Sequence, residues 1–370
     1  MTPAQNTHYD ALIIGQGLAG SLLAWELIQQ GQKVLVIDKQ HSQSASMVAA
    51  GIINPITGHR INLTHDFSKF ISIATDTYRL LTSTLNCSFF SAIPQQRLIK
   101  NNGQHSYYLK RLKQVEYLDF LLPLSEQNDQ KKNQNAFFRH TDYSIAHIQQ
   151  TYRVDSQSLL QALKEWLISQ QALLLHALDY DELTIEPNKV LFKNNHNSLL
   201  ANNIIFCEGF QAIHNPWLQD LPFKLAKGEI LTLALQKKYD SMYNWGHWLL
   251  PLANSEEKAF LGANYEWNNQ DVDTNQKIAS ELMQSMQKQT NISGKIIDHK
   301  AGIRPTTINR KPFIGNHPKH PNLYCFNGFG SKGCLIIPHY AKLFAQHFTN
   351  KTSLTELLPE LETTLILHSE

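Results

Sequence analysis

Three glycines at positions 15, 17 and 20 and an aspartate at position 38 set the first chemical expectation for this chain. The string Gly15-Gln-Gly-Leu-Ala-Gly20 follows a short apolar run at 11–14 and opens a helical pattern over 18–30. A second apolar run at 34–37 then closes on Asp38, 23 positions beyond Gly15, with Lys39 next to it. The spacing has a physical reason. Gly15 permits a tight turn, Gly17 lets backbone N–H groups approach a pyrophosphate, and Gly20 allows close packing of helix on strand. Leu18 and Ala19 begin the helix, whose positive end suits a phosphate. Asp38 is placed to accept the hydroxyls of an adenosine ribose. The pattern predicts a βαβ dinucleotide site.

A second strand–turn–helix lies near the other end, in Asn327-Gly-Phe-Gly-Ser-Lys-Gly333 followed by Cys334. Gly328, Gly330, Ser331, Lys332 and Gly333 supply another helix N-terminus with a cation beside it. Reduced flavin carries negative charge around its N1 and C2 carbonyl, which such an end counters. This favours FAD over a nicotinamide. Ser331 is not a hydrolase nucleophile, because GxSxG needs glycine where Phe329 stands.

Taken together these blocks resemble the D-amino-acid oxidase and glycine oxidase (DAO) superfamily of FAD-dependent oxidoreductases, through nearly the whole chain. Gly15 to Gly20 with Asp38 is similar to its FAD fingerprint. The segment Ser44-Ala-Ser-Met-Val-Ala-Ala-Gly51, with Ser46, Ala49, Ala50 and Gly51, resembles the stretch along the flavin phosphates. Asn203 to Gly209 looks like the third strand and its glycine turn, and Lys227-Gly-Glu-Ile230 like the start of the substrate-domain sheet. Ala301-Gly-Ile-Arg-Pro305 with Lys311-Pro-Phe-Ile-Gly315 resembles the AGxRP…PxIG signature, and Gly328 to Gly333 the last flavin-contacting turn.

The resemblance implies oxidation of a carbon–nitrogen bond next to a carboxylate. It makes Arg304 the carboxylate clamp, a role suited to a planar, permanently charged fork. Holding the carboxylate would fix the α C–H for hydride transfer to flavin. Relatives commonly carry a tyrosine where Gly246-His-Trp-Leu-Leu-Pro251 offers Trp248, so Tyr265 or Asn264 is expected to supply the polar contact. Asn309 stands where an acid is common. Asn54-Pro-Ile-Thr-Gly-His-Arg60 is placed either along the flavin or in a solvated turn. No cysteine lies close to AGIRP, so FAD is expected to be noncovalent. No metal is expected, since there is no HExxH and His317 with His320 sits in a proline-flanked turn.

Residues 154–170 read as an amphipathic helix with Asp155 as N-cap near its start and Leu159, Leu160, Leu163 and Leu167 on one face. Strands are expected at 173–175, 189–192, 203–207, 227–235, 259–265 and 322–326, and helices at 275–289 and 334–348. Residues 62–150 read as a polar surface excursion, softest at 126–135. The fold class is α/β. A Rossmann-like FAD-binding domain is expected from 1–75, 151–215 and 300–370, and a mostly antiparallel-sheet substrate domain from 76–150 and 216–299.

Composition bounds the rest. Charged residues make up 17% and the net charge is +2, so nucleic acid is not an expected partner. Four cysteines form no CxxC pair and read as reduced thiols. The start MTPAQNTHYD has no signal-peptide pattern and no stretch spans a bilayer, which predicts a cytoplasmic protein. The expected partners are a carboxylate-bearing amine and oxygen or another electron acceptor. Two alternatives stay open: a tRNA-modification oxidase acting on a carboxymethylaminomethyl uridine, and a non-catalytic flavin-binding assembly protein.

Overall fold

The strand His8–Ile14 ends in the apolar run Ala11-Leu-Ile-Ile14, whose four residues are at most 5% exposed. A strand covered on both faces loses the hydrophobic–polar alternation, which places this one at the centre of a parallel sheet. The computed structural model bears this out, and it describes all residues except 1–6, 40–43, 124–136, 140–143, 253–254, 256, 268, 364 and 366–370. Five strands run parallel in the order Leu173–Leu175, Val34–Asp38, His8–Ile14, Ser198–Phe206 and His320–Asn327. Antiparallel strands Lys189–Lys193, Leu183–Glu186 and Phe313–His317 complete an eight-stranded sheet.

Helix Leu18–Gln29 turns Leu22, Leu23, Ala24, Trp25 and Leu27 into the core and lies against helix Gly333–Asn350. Each large apolar side chain buried there stabilises by roughly 1.5–3 kcal/mol. The predicted Asp155 cap is present: its carboxylate accepts from Ser158 N at 3.3 Å at the start of helix Ser156–Ser169. Helix Gln276–Gln289 likewise begins at Asn275, whose side chain accepts from Lys277 N at 2.9 Å.

Residues 62–150 are not a surface excursion where the structure describes them. Phe67–Thr84 is an 18-residue helix that buries Phe67, Phe70, Ile71, Ala74, Tyr78 and Leu81 against the C-terminal helix. These positions keep helical spacing, but many β-branched residues lower the intrinsic propensity, so tertiary packing decides the element. Position 75, where a domain boundary is expected, lies inside this helix. Gln95–Ile99 and Ser144–Ile148 are paired strands. The soft segment 126–135 lies outside the described residues.

The second sheet is mostly antiparallel. Its order is Glu266–Trp267, Ala226–Leu235, Lys258–Gly262, Trp248–Pro251, Met242–Asn244, Gln95–Ile99 and Ser144–Ile148. The 11-residue strand Gly294–Arg304 pairs antiparallel with Ala226–Leu235 and ends on Arg304. Alternation along Ala226–Leu235 separates Gly228 from its neighbours. Lys227, 2% exposed, and Glu229, 0% exposed, turn away to a buried ionic cluster with His299. Lys227 Nζ also donates to Asp273 O at 2.6 Å. The bare face of Gly228 is left for the site.

Candidate active site

The carboxyl ends of the parallel strands, the short helix Ala45–Val48 and the end of the Gly294–Arg304 strand surround one cavity of about 1450 Å³. That exceeds the ~300–1,000 Å³ of ordinary small-ligand pockets, leaving room for a dinucleotide and a further molecule.

The first glycine turn forms its floor. Gly15 has φ +105°, a conformation that favours glycine, and its N–H donates to Ile37 O at 2.9 Å. A Cβ on Gly20 would stand 1.9 Å from Gly15 O, so Gly20 is needed for packing and does not itself line the cavity. Gly17 differs, because the nearest atom to a Cβ there is Ser46 Oγ at 3.5 Å. The protein leaves that space open. Leu18 N donates to Ser46 Oγ at 3.1 Å, drawing the 44–51 segment to the helix start. Gln16 N donates to Asp38 Oδ2 at 2.8 Å, fixing the carboxylate at the strand end.

Gly15, Gly17, Leu18, Ala19, Asp38 and Lys39 line one end of the cavity, with Ser46, Ala49, Ala50 and Gly51 beside them. Gly209 lines it from the end of the third strand. Gly328, Gly330, Ser331, Lys332, Gly333 and Cys334 line it from the C-terminal turn. Gly328 and Gly330 adopt φ +82° and +54°. This arrangement, two helix starts and a strand-end carboxylate around an elongated space, fits a dinucleotide cofactor.

Arg304 faces the same space. Its guanidinium lies flat on Gly228, where any Cβ would meet it at 2.3 Å. The Tyr265 ring covers it, 4.4 Å from ring centroid to guanidinium carbon. Burial pulls the pKa of Arg304 below its ordinary value, with Tyr265 opposing, and its Nη1 is buried with no hydrogen-bond partner. A buried donor without a partner costs about 1–3 kcal/mol, which an anion in the cavity would relieve. Trp248 both lines the cavity and packs with Ile230, Met242 and Leu250. Asn264 is turned away: its Oδ1 accepts from Glu229 N at 2.7 Å. Asn54 and Thr57 line the cavity, while His59 and Arg60 are exposed and do not.

Several further residues that no sequence motif marks also line the cavity. Glu208 accepts from Tyr180 Oη and from Asn215 Nδ2, both at 2.8 Å. Burial pushes its carboxyl up to about 7, with the hydrogen bonds from Asn215 and Tyr180 opposing. An acid closing a buried strand, directly before Gly209, was the available signal. Lys224, Trp267, Ile308 and Arg310 stand at the mouth.

Fold and site together define a dinucleotide-cofactor α/β protein with a second sheet closing over the cavity. The profile of the FAD dependent oxidoreductase family matches residues 10–347, and the chain belongs to this family. It is an FAD-dependent oxidoreductase. Among solved structures it is similar to glycine oxidase from Geobacillus kaustophilus, at 15% identity and TM-score 0.79, covering 98% of this chain and 100% of that one. It is similar to iminodiacetate oxidase from Chelativorans sp. BNC1 at 20% identity and TM-score 0.77, covering 96% and 100%. L-proline dehydrogenase from P. horikoshii matches at 15% identity and TM-score 0.77, covering 95% and 96%. At such identities the likeness is one of fold. No helix among the described residues is long and apolar enough to cross a membrane.

Proposed function

We propose that the enzyme oxidises a carbon–nitrogen bond of a small amino acid or other carboxylate-bearing amine. The observation that carries this reading is the buried, unpartnered Nη1 of Arg304, held between Gly228 and Tyr265 over the cavity. Arg304 lines the cavity, and its planar guanidinium with an unused donor suits a bidentate carboxylate. Bound FAD supplies a hydride acceptor. Arg304 then binds the carboxylate, and Trp248 limits the room beside it, so the amine carbon is held in one orientation. Lys332, next to the N-terminus of helix Gly333–Asn350, offsets negative charge at that end of the cavity. The oxidised product is an imine that water hydrolyses, and oxygen or another acceptor takes the electrons.

We assign the dinucleotide to the glycine turns 15–20 and 328–333, to Asp38 and to the 44–51 segment. Gly20 acts there through packing alone. The parallel sheet with its helices would form the FAD-binding domain, and the second sheet the substrate domain. FAD is held without a covalent bond in this reading. The two cavity cysteines are poor nucleophiles, since burial pushes the Cys334 thiol up to about 12 and Cys207 well above its ordinary value. Four free cysteines accord with a reducing cytoplasm.

The test is spectroscopic. Purified protein should be yellow and release free FAD on acid precipitation. Under anaerobic conditions glycine, sarcosine, proline and small D-amino acids are added in turn, and at least one should bleach the flavin. Arg304→Ala should keep FAD and lose the bleaching. Bleaching undiminished in that variant would overturn the clamp.

A further inference from the structure

The mouth of the cavity carries features that a small amino acid would not use. Tyr265, Trp267 and Ile308 are large side chains left 53%, 52% and 68% exposed. Tyr265 and Trp267 lie with ring centroids 6.0 Å apart and planes 30° from parallel. Lys224 Nζ sits 4.8 Å from the centroid of the Trp267 ring. Lys224 and Arg310 line the same cavity as Arg304. Among the described residues, neither Lys224, Arg310, Lys332 nor Arg304 has a carboxylate within 4.0 Å. The nearby acids are engaged elsewhere: Glu266 accepts from Asn269 Nδ2 at 3.0 Å, and Asp271 faces Lys227 at 3.7 Å.

An aromatic pair left in water beside uncompensated cations is costly to keep unless something covers it. We propose that Trp267, Tyr265, Lys224 and Arg310 form a second subsite for a substrate arm that combines a planar ring with a further negative charge. The inference rests on the Arg304 reading. With one carboxylate on Arg304, the nitrogen substituent leads past Tyr265 to Trp267, so the ring meets an indole face. Its anionic group then meets Lys224 and Arg310. The substrate class this defines is an N-arylmethyl amino acid with an acidic group on the ring.

The probes are three secondary amines of increasing reach: sarcosine, N-benzylglycine and N-(4-carboxybenzyl)glycine. Affinity for the FAD-loaded enzyme, reduced with dithionite and kept anaerobic so that no amine is oxidised, is measured by calorimetry. N-benzylglycine should bind about tenfold more tightly than sarcosine, from stacking on the mouth aromatics. The ring carboxylate should add about threefold, an increment that falls with salt. Trp267→Ala should remove the benzyl gain and leave sarcosine unchanged, whereas Trp267→Phe should restore most of it. Lys224→Gln should remove only the carboxylate gain. Equal loss for all three ligands in Trp267→Ala, or none, would overturn the subsite. A single-stranded RNA oligonucleotide that binds more tightly than any probe, and is lost in Trp267→Ala, would also overturn it by giving the platform to a nucleobase. Arg304→Ala serves the other question: unchanged affinities there sink the clamp, while the Trp267 comparison still decides the subsite.

Discussion

The guanidinium carbon of Arg304 lies 4.4 Å from the centroid of the Tyr265 ring, whose hydroxyl is 3.2 Å from Ser331 Oγ. One tyrosine thus spans from the candidate substrate clamp to the C-terminal glycine turn. A cation over an aromatic face contributes about 0.5–2 kcal/mol, more when desolvated. Tyr265→Phe keeps the ring and should change carboxylate affinity less than twofold. Tyr265→Leu should weaken it by about three- to tenfold with FAD retained. Titration of a simple carboxylate against the flavin spectrum measures both. Equal behaviour of Phe and Leu would mean that the ring does not hold Arg304.

Glycines 17 and 20 belong to one motif yet should fail differently. At Gly17 a Cβ meets nothing closer than Ser46 Oγ at 3.5 Å, and its φ of −71° suits any residue. Gly17→Val should therefore fold, with a near-normal melting temperature as apoprotein, but purify colourless. At Gly20 a Cβ would fall 1.9 Å from a backbone oxygen, so Gly20→Val should lower expression and stability outright. A yellow Gly17→Val protein would remove the pyrophosphate from this turn.

Asp38 serves two partners in this reading, since Gln16 N already donates to its Oδ2 at 2.8 Å. Asp38→Ala should cost about 1.5–3 kcal/mol in FAD binding if the ribose hydrogen bonds are charge-assisted. Asp38→Asn keeps an acceptor for Gln16 and should recover only part of it. Equilibrium dissociation of FAD, followed by its fluorescence, separates the two. If both variants hold FAD as well as the parent, the ribose lies elsewhere.

What was legible in the residues was local. The βαβ unit follows from two apolar runs and a glycine string, and each needs only neighbours in sequence to form. The mouth was not legible. Lys224 precedes one strand and Trp267 ends another, and the pairing of Ala226–Leu235 with Glu266–Trp267 brings them together. In sequence Glu208 is only an acid two residues beyond the strand Ser198–Phe206. Its partners Tyr180 and Asn215, which lie on either side of that strand in sequence, create the environment that makes it unusual. The helix Phe67–Thr84 is hidden in the sequence for a different reason. Its apolar spacing was present, and the polar, β-branched residues between those positions masked it.

Glu208 gives a pH dependence with a definite sign. Its carboxyl titrates at about 7 in the folded protein, against about 4.3 in an unfolded chain. The folded state therefore holds the proton more tightly. The associated stability is full below pH ~4.3 and is lost as pH rises through about 7. Glu208 is half-buried with one side on the cavity, so solvent screening reduces the effect to on the order of 1 kcal/mol. Glu208→Gln should erase this component. Denaturant midpoints of the apoprotein at pH 5 and pH 8 should show the variant gaining on the parent at the higher pH. A difference between the two proteins that does not move with pH would rule out Glu208 as its source.

The C-terminal helix holds a proline that predicts its own partner. Pro338 has no N–H, so the carbonyl of Cys334, four residues earlier, loses its helical donor. Tyr78, fully buried on the Phe67–Thr84 helix, donates its hydroxyl to that carbonyl at 2.8 Å. The bond closes a gap in the first turn of the helix that follows the glycine turn, where Cys334 itself lines the cavity. Tyr78→Phe keeps the ring and leaves a buried carbonyl unpaired, which should cost about 1–3 kcal/mol. The expected result is a lower denaturant midpoint with an unchanged slope. FAD should also leave more readily, because the loosened turn carries Gly333 and Cys334. Tyr78→Leu should cost more, since it adds the lost packing of a ring beside Phe90, at 5.3 Å between centroids. A Tyr78→Phe protein as stable as the parent would show that water or a shifted helix turn satisfies the carbonyl instead.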